Sequence, residues 1–137
     1  MSAPGSPLTL FSLAQRGLSA QLVRMNAAAS NLANAGTVAG SESGAYKPLR
    51  AVFATALDAA SGLATVDVRA VQQSQAKAIR QHDPDHPMAD ANGDVWTAPV
   101  DENAEMIEML DSSRQYQNLV EALSTAKQLM LETMRMK

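Results

Sequence analysis

The 137-residue chain contains no cysteine. That removes disulfides, thiolate metal sites and cysteine nucleophiles together, and it fits any redox compartment. Aromatic residues make up only 4%, so the 46% hydrophobic content rests on alanine, leucine, valine and eight methionines. Such a composition suits adaptable helix packing more than a rigid aromatic core. A formal net charge of −3 gives no basic face for nucleic acid. No segment approaches the roughly 18 uninterrupted apolar residues of a membrane span. The opening MSAPGSPLTLFSLAQ lacks the basic and sustained apolar regions of a cleaved secretory signal. A chain soluble when made is therefore expected, with export by a route that needs no such signal left open. Charge is also scarce locally. The first 41 residues hold only Arg16 and Arg24, and Met25 to Ser41 hold none.

What is present divides the chain into three parts: 1–36, 37–100 and 101–137. The first predicts a helix from about Leu8 to Ala35. Ser6 and Pro7 are placed as N-cap and first helical residue, and Gly36 as the C′ stop. Phe11, Leu18, Met25 and Leu32 recur every seven residues, flanked by Ala14, Leu22, Ala28 and Ala29. The third part predicts a helix from about Asp101 to Arg135. There Met109, Tyr116, Leu123 and Met130 repeat at the same spacing, beside Leu119, Val120, Ala126 and Met134. Acidic residues crowd its start and Lys127, Arg135 and Lys137 its end, which complements the helix dipole. Two heptad seams predict a coiled coil of the terminal helices.

The middle part holds four of the six prolines and reads as a small β-rich insert, giving an α+β fold. LATVDVRAV, Leu63 to Val71, alternates Ala64, Val66, Val68 and Ala70 against Thr65, Asp67 and Arg69, the pattern of a half-buried strand. Lys77–Arg80 and Val95–Thr97 are weaker strand candidates. Arg50–Ala60 suits helix or strand, and TVAGSESGAYKP reads as a flexible loop.

On a helical wheel Met25, Ala28, Ala29, Leu32 and Ala35 share the seam expected to face the partner helix. Asn26, Ser30, Asn31 and Asn34 fall opposite, where a solitary helix would show lysine and glutamate to water. Small uncharged residues allow close approach and hydrogen bonding without burying charge. This second face is expected to be a contact between subunits, with Gln21, Asn31 and Asn34 as hydrogen-bonding candidates. Leu18, Leu22, Met25, Asn26, Ala28, Ala29 and Leu32 join them from the first helix, and Met109, Tyr116, Leu123 and Met130 from the second. A helix buried on all sides within its own domain and a flexible Ala/Asn-rich tail are the competing readings.

These residues carry a family resemblance. Gly17-Leu18-Ser19-Ala20-Gln21, Asn26, Ser30-Asn31-Leu32-Ala33-Asn34-Ala35 and Thr37 resemble the N-terminal signature of bacterial flagellar axial proteins, the rod and hook subunits. Three features are similar to the C-type proximal rod proteins of the basal body. They are Tyr46 followed by Phe53, the loop His82-Asp83-Pro84-Asp85-His86-Pro87-Met88-Ala89-Asp90-Ala91-Asn92-Gly93, and Glu105-Met106 with Ser113-Arg114-Gln115-Tyr116-Gln117. Asp94, Ala98-Pro99-Val100-Asp101 and Leu119 depart from that pattern. The resemblance implies a structural subunit that passes through the flagellar type III export apparatus without a cleaved signal. It would polymerise in the periplasm with copies of itself and other rod proteins, with the basal-body membrane ring as a further candidate neighbour.

Rival chemistry is thin. His82 and His86, with Asp83, Asp85 and Asp90, are metal-ligand types, but Pro84 and Pro87 interrupt the helix that a His-x₃-His pair needs. Gly93 at position six of a calcium loop puts Met88 at position one and Pro99 at twelve, where carboxylates are required. No serine sits in a Gly-x-Ser-x-Gly elbow and no glycine-rich loop follows a strand. No enzyme activity, cofactor or small-molecule substrate is expected. The alternative is a cytoplasmic two-helix adaptor or export chaperone.

Overall fold

The computed structural model describes residues 7–59 and 62–136, with backbone only for residues 7 and 8. The expected N-cap Ser6 lies outside them. Helix α1 spans Pro7–Asn34 and α2 spans Glu102–Arg135. Between them come β1 (Val38–Ala39), β2 (Leu49–Leu57), β3 (Ala64–Gln73), β4 (Ile79–His82) and β5 (Asp94–Thr97). The architecture is α+β, two long helices around a small antiparallel insert.

Local chemistry sets the helix limits. Gly36 takes φ +73°, and both the N–H and the hydroxyl of Thr37 donate to the Asn34 carbonyl, so α1 stops as a capped turn. At α2 the Asp101 carboxylate accepts from the Ala104 N–H at 3.1 Å, with Glu102 and Glu105 in the first turn.

Strands β2 and β3 form an antiparallel hairpin in register from Leu49↔Gln73 to Leu57↔Ala64, with a bulge between Val52 and Phe53. Pairing with β3 resolves Arg50 to Leu57 of the undecided Arg50–Ala60 segment as strand, and Ala60 lies outside the described residues. Strands β1, β5 and β4 make a second antiparallel sheet in that order. Part of the predicted flexible loop is thereby ordered: Val38 and Ala39 pair with Thr97 and Trp96, and Gly44 N–H bonds Ser41.

α1 lies between α2 and the β2–β3 hairpin. α2 packs along one flank and the β2–β3 hairpin along another, while the backbones of α2 and the hairpin do not meet. The helices run antiparallel, with Gly17 against Leu119, Gln21 against Gln115, Arg24 against Glu108 and Asp111, and Asn31 against Glu105. The predicted heptad seam is not the centre of this packing. Phe11, Leu18, Met25 and Leu32, like Met109, Tyr116, Leu123 and Met130, are only half-buried. The buried positions are Ala20, Ala27, Ala28 and Asn31 on α1, and Glu105 and Ser112 on α2. The hairpin explains the shift. With neighbours on two flanks, the buried stripe of α1 centres between them.

The β3 alternation is also read differently in three dimensions. Thr65 is buried, under Arg16 and bonded to the Ala56 carbonyl, while Val66 is 47% exposed. Arg16 reaches both Thr65 and Asp67 at 3.2 Å, so the polar side of the strand is tied down. The apolar side of Ala64 and Val66 lines an open hollow with Leu13, Gly17 and Leu119.

Candidate assembly interface

Asn31 leaves no surface for a neighbour, being fully buried. Its Oδ1 accepts from the Leu49 N–H at 2.7 Å, and its Nδ2 donates to the Leu49 carbonyl at 3.0 Å. The same amide donates to Glu105 Oε2 at 3.0 Å and accepts from the Tyr46 hydroxyl at 3.0 Å. Tyr46 also bonds Ser30. Glu105, 2% exposed, is completed by an ion pair with Arg50. One asparagine thus joins α1, α2, the start of β2 and the segment before it, with the buried carboxylate compensated on both oxygens.

This corrects the expectation that placed Asn31 on the outward face. Its partners are internal because the hairpin docks where a wheel for two helices leaves solvent. Ala28, 1% exposed, belongs to the same interior. Gln21 donates to Gln115 and accepts from Arg24, and Asn34 donates to the Ser30 carbonyl of its own helix. The three hydrogen-bonding candidates Gln21, Asn31 and Asn34 are therefore bonded within the chain. Arg24 spans Glu108 at 2.8 Å and Asp111 at 3.3 Å. The Glu108 hydrogen bond leads in raising its pKa above the ordinary guanidinium value, against the opposing effect of burial.

Ser112, fully buried, donates its hydroxyl to the Glu108 and Met109 carbonyls of its own turn. It therefore packs without needing a partner from α1. The 82–94 loop is held by similar economy. Asp90 Oδ1 accepts from the Asn92 and Asp94 N–H groups, and His86 Nδ1 from Met88 N–H. His82 Nδ1 donates to Asp94 Oδ1 at 3.0 Å, and Arg80 pairs with the other oxygen. These contacts, the histidine first, lower the Asp94 pKa. Gly93 is required at φ +75°, because an added Cβ would lie 2.9 Å from Pro84 Cβ.

The outward side of α1 is a different surface. Ser12, Gln15, Ser19, Leu22, Asn26, Ala29 and Ala33 are all exposed and none is charged. Their spacing of three and four residues puts them on one stripe. Of the sequence-predicted residues, Leu22, Asn26 and Ala29 belong to it. Residues absent from the predicted set, Tyr46, Arg50 and Glu105, form the internal clasp with Asn31. Tyr46 and Glu105 stood in the motifs of the resemblance, and their common partner was the missing information.

No helix among the described residues is long and apolar enough to cross a membrane, and none of their His, Asp and Glu side chains group to hold a metal ion. Paired terminal helices with a bare, uncharged flank define a structural protein made to pack. A family model described as "Flagella basal body rod protein" matches residues 11–39. The chain is 43% identical over 129 residues to "Flagellar basal-body rod protein FlgC" of Salmonella typhimurium, covering 93% of this chain and 95% of that one. The protein of that name from Yersinia enterocolitica is 38% identical over 94% and 96% of the two chains, and that from Agrobacterium fabrum 30% over 93% of each. The chain belongs to the flagellar basal-body rod protein family, whose members are structural components of the rod.

Proposed function

We propose that this chain is a subunit of the proximal rod, polymerising by helix packing with copies of itself and with other rod proteins. In that role it forms part of a torque-transmitting shaft and of the wall of the export channel. It reaches the periplasm through the type III export apparatus without a cleaved signal, and the basal-body membrane ring is a candidate neighbour. The observation that carries the reading is the uncharged exposed stripe of α1. A permanently solvated helix ordinarily shows charge on that side, whereas small polar side chains suit contact with another protein.

The test compares Ala29→Glu with the parent in a strain lacking its own copy. Ala29 is exposed, so the variant is expected to fold with the parent's thermal transition and to fail to restore swimming. Basal bodies purified from the parent strain should contain the chain alongside other rod subunits by mass spectrometry. Full swimming with Ala29→Glu stably incorporated would remove the stripe as an interface. Absence of the parent chain from intact basal bodies would remove the rod reading itself.

A further inference from the structure

Because α2 and the hairpin flank α1 without meeting, a trough runs along α1 between them, crossed by the Arg50–Glu105 ion pair. Three hollows make it up. One of about 320 Å³ lies over Ala27 and Ala28. The next, about 370 Å³, lies over Ala20, and the third, about 330 Å³, over Leu13 and Gly17. Arg24 and Phe53 border the first two hollows, and Val66 borders the second and third. From Leu10 to Ala28 the trough is about 27 Å long at the helical rise of 1.5 Å per residue. At about 100° per residue, its floor and the bare stripe through Ser19, Asn26 and Ala29 lie on opposite sides of α1.

We propose that the open end of the trough over Leu13 and Gly17 in one copy receives the bare α1 stripe of a second copy. The inference rests on the rod reading in one respect, that copies adjoin in the assembly. Shape comes first. Ala20, Ala27 and Ala28 are already buried, so the open part of the floor is the Leu13–Gly17 end, walled by apolar Ala64, Val66, Leu119 and Leu123, and the stripe is small apart from Gln15, Leu22 and Asn26.

Charge then selects the occupant. The ionic groups in the trough are already matched, Arg24 with Glu108 and Asp111, and Arg50 with Glu105. An incoming charge would be desolvated without a partner. The exposed surface of α2 carries Glu102, Arg114, Glu121, Lys127, Glu132 and Arg135, which argues against α2 as the guest. The α1 stripe carries no charge along its length. Finally, the two surfaces point in opposite directions. Each contact therefore leaves one stripe and one trough free, a heterologous arrangement that propagates rather than closing as a two-fold dimer.

The absence of cysteine makes this testable by cross-linking. Val66→Cys in the trough is combined, one at a time, with Ser19→Cys, Asn26→Cys or Ala29→Cys on the stripe. Cells producing each double variant are treated with a short bis-maleimide, and basal bodies are isolated. A bridge within one copy adds no mass, so covalent multimers count only bridges between copies. The expected result is a series of covalent multimers of this chain from at least one double variant, in at least tenfold excess over the single variants. Basal bodies that contain the chain but yield no such multimers from any of the three pairs would overturn the inference and leave the rod reading standing. A cross-linked product joining this chain to a different subunit would overturn it in the same way. Absence of the parent chain from basal bodies would remove the rod reading and the inference together.

Discussion

The side-chain amide of Asn31 pairs with both backbone groups of Leu49, at 2.7 Å to its N–H and 3.0 Å to its carbonyl. It stands where a neighbouring strand would stand, so the hairpin is bonded to a helix as if to another sheet edge. Asn31→Ala removes this pairing together with the amide donor to Glu105. Each buried polar group left unsatisfied costs about 1–3 kcal/mol. The variant is therefore expected to lose about 3 kcal/mol in urea unfolding, with cooperativity retained. A loss below about 1 kcal/mol would show that water replaces the amide without penalty.

The ion pair beside it is asymmetric in burial. Glu105 is 2% exposed, while the Arg50 side chain is 55% exposed. Removing the arginine strands a carboxylate in the interior, whereas neutralising the carboxylate leaves an arginine that can turn to solvent. Breaking a buried pair costs about 3–5 kcal/mol when the remaining charge is trapped, and about 0–1 when it is solvated. Arg50→Met should therefore shift the urea midpoint clearly more than Glu105→Gln does, because glutamine can still accept from Asn31. Equal shifts, or the reverse order, would contradict the assignment of the penalty to Glu105.

These two residues also mark the limit of sequence reading. The helices were legible because periodicity and capping are local properties, as Asp101 and Gly36 illustrate. Strand β3 was legible from alternation, and β4 and β5 in part. A polar residue opposite a heptad seam, as Asn31 is, reads as facing water when only two helices are considered. The hairpin supplies a second buried flank, and nothing in the periodicity of α1 reports a strand docking on it. The same cause hides the true environment of Thr65, whose burial depends on Arg16 reaching across from α1. Asn26 is legible as part of an uncharged outward surface because charge is read directly from the residues, whereas the periodicity puts Leu22 and Ala29 along the seam toward α2 and the structure leaves both exposed.

Two glycines separate backbone strain from packing. Gly36 and Gly93 have nearly equal φ, +73° and +75°, but only Gly93 has neighbours where a Cβ would stand. Gly36→Ala should cost about 1 kcal/mol for the left-handed conformation alone. Gly93→Ala adds contacts of 2.9 Å to Pro84 Cβ and 3.1 Å to His82 Cε1, and the proline ring has little freedom to move aside. Its loss should exceed that of Gly36→Ala by about 1–3 kcal/mol, the usual range for overpacking. Thermal unfolding of the two variants side by side measures the difference, and matching losses would mean that the loop opens freely around Gly93.

Asp94 gives the loop a pH dependence whose sign can be stated. The His82 hydrogen bond, followed by Arg80, holds the folded carboxyl below its ordinary pKa. The folded state therefore takes up the proton less readily than the unfolded chain. The stabilisation is complete above the ordinary carboxylate range and is lost as pH falls through the lowered folded value. Asp94→Asn should be less stable than the parent at neutral pH and should lose less stability on acidification. Trp96, the only tryptophan, sits two residues along β5 and pairs with Arg80 across the sheet, so its emission reports unfolding beside the contact. The gap between parent and variant in urea midpoint, followed by that emission, should narrow as pH falls from 7 to 3. Curves that stay parallel throughout would show that the Asp94 contacts add nothing to stability that protonation can remove.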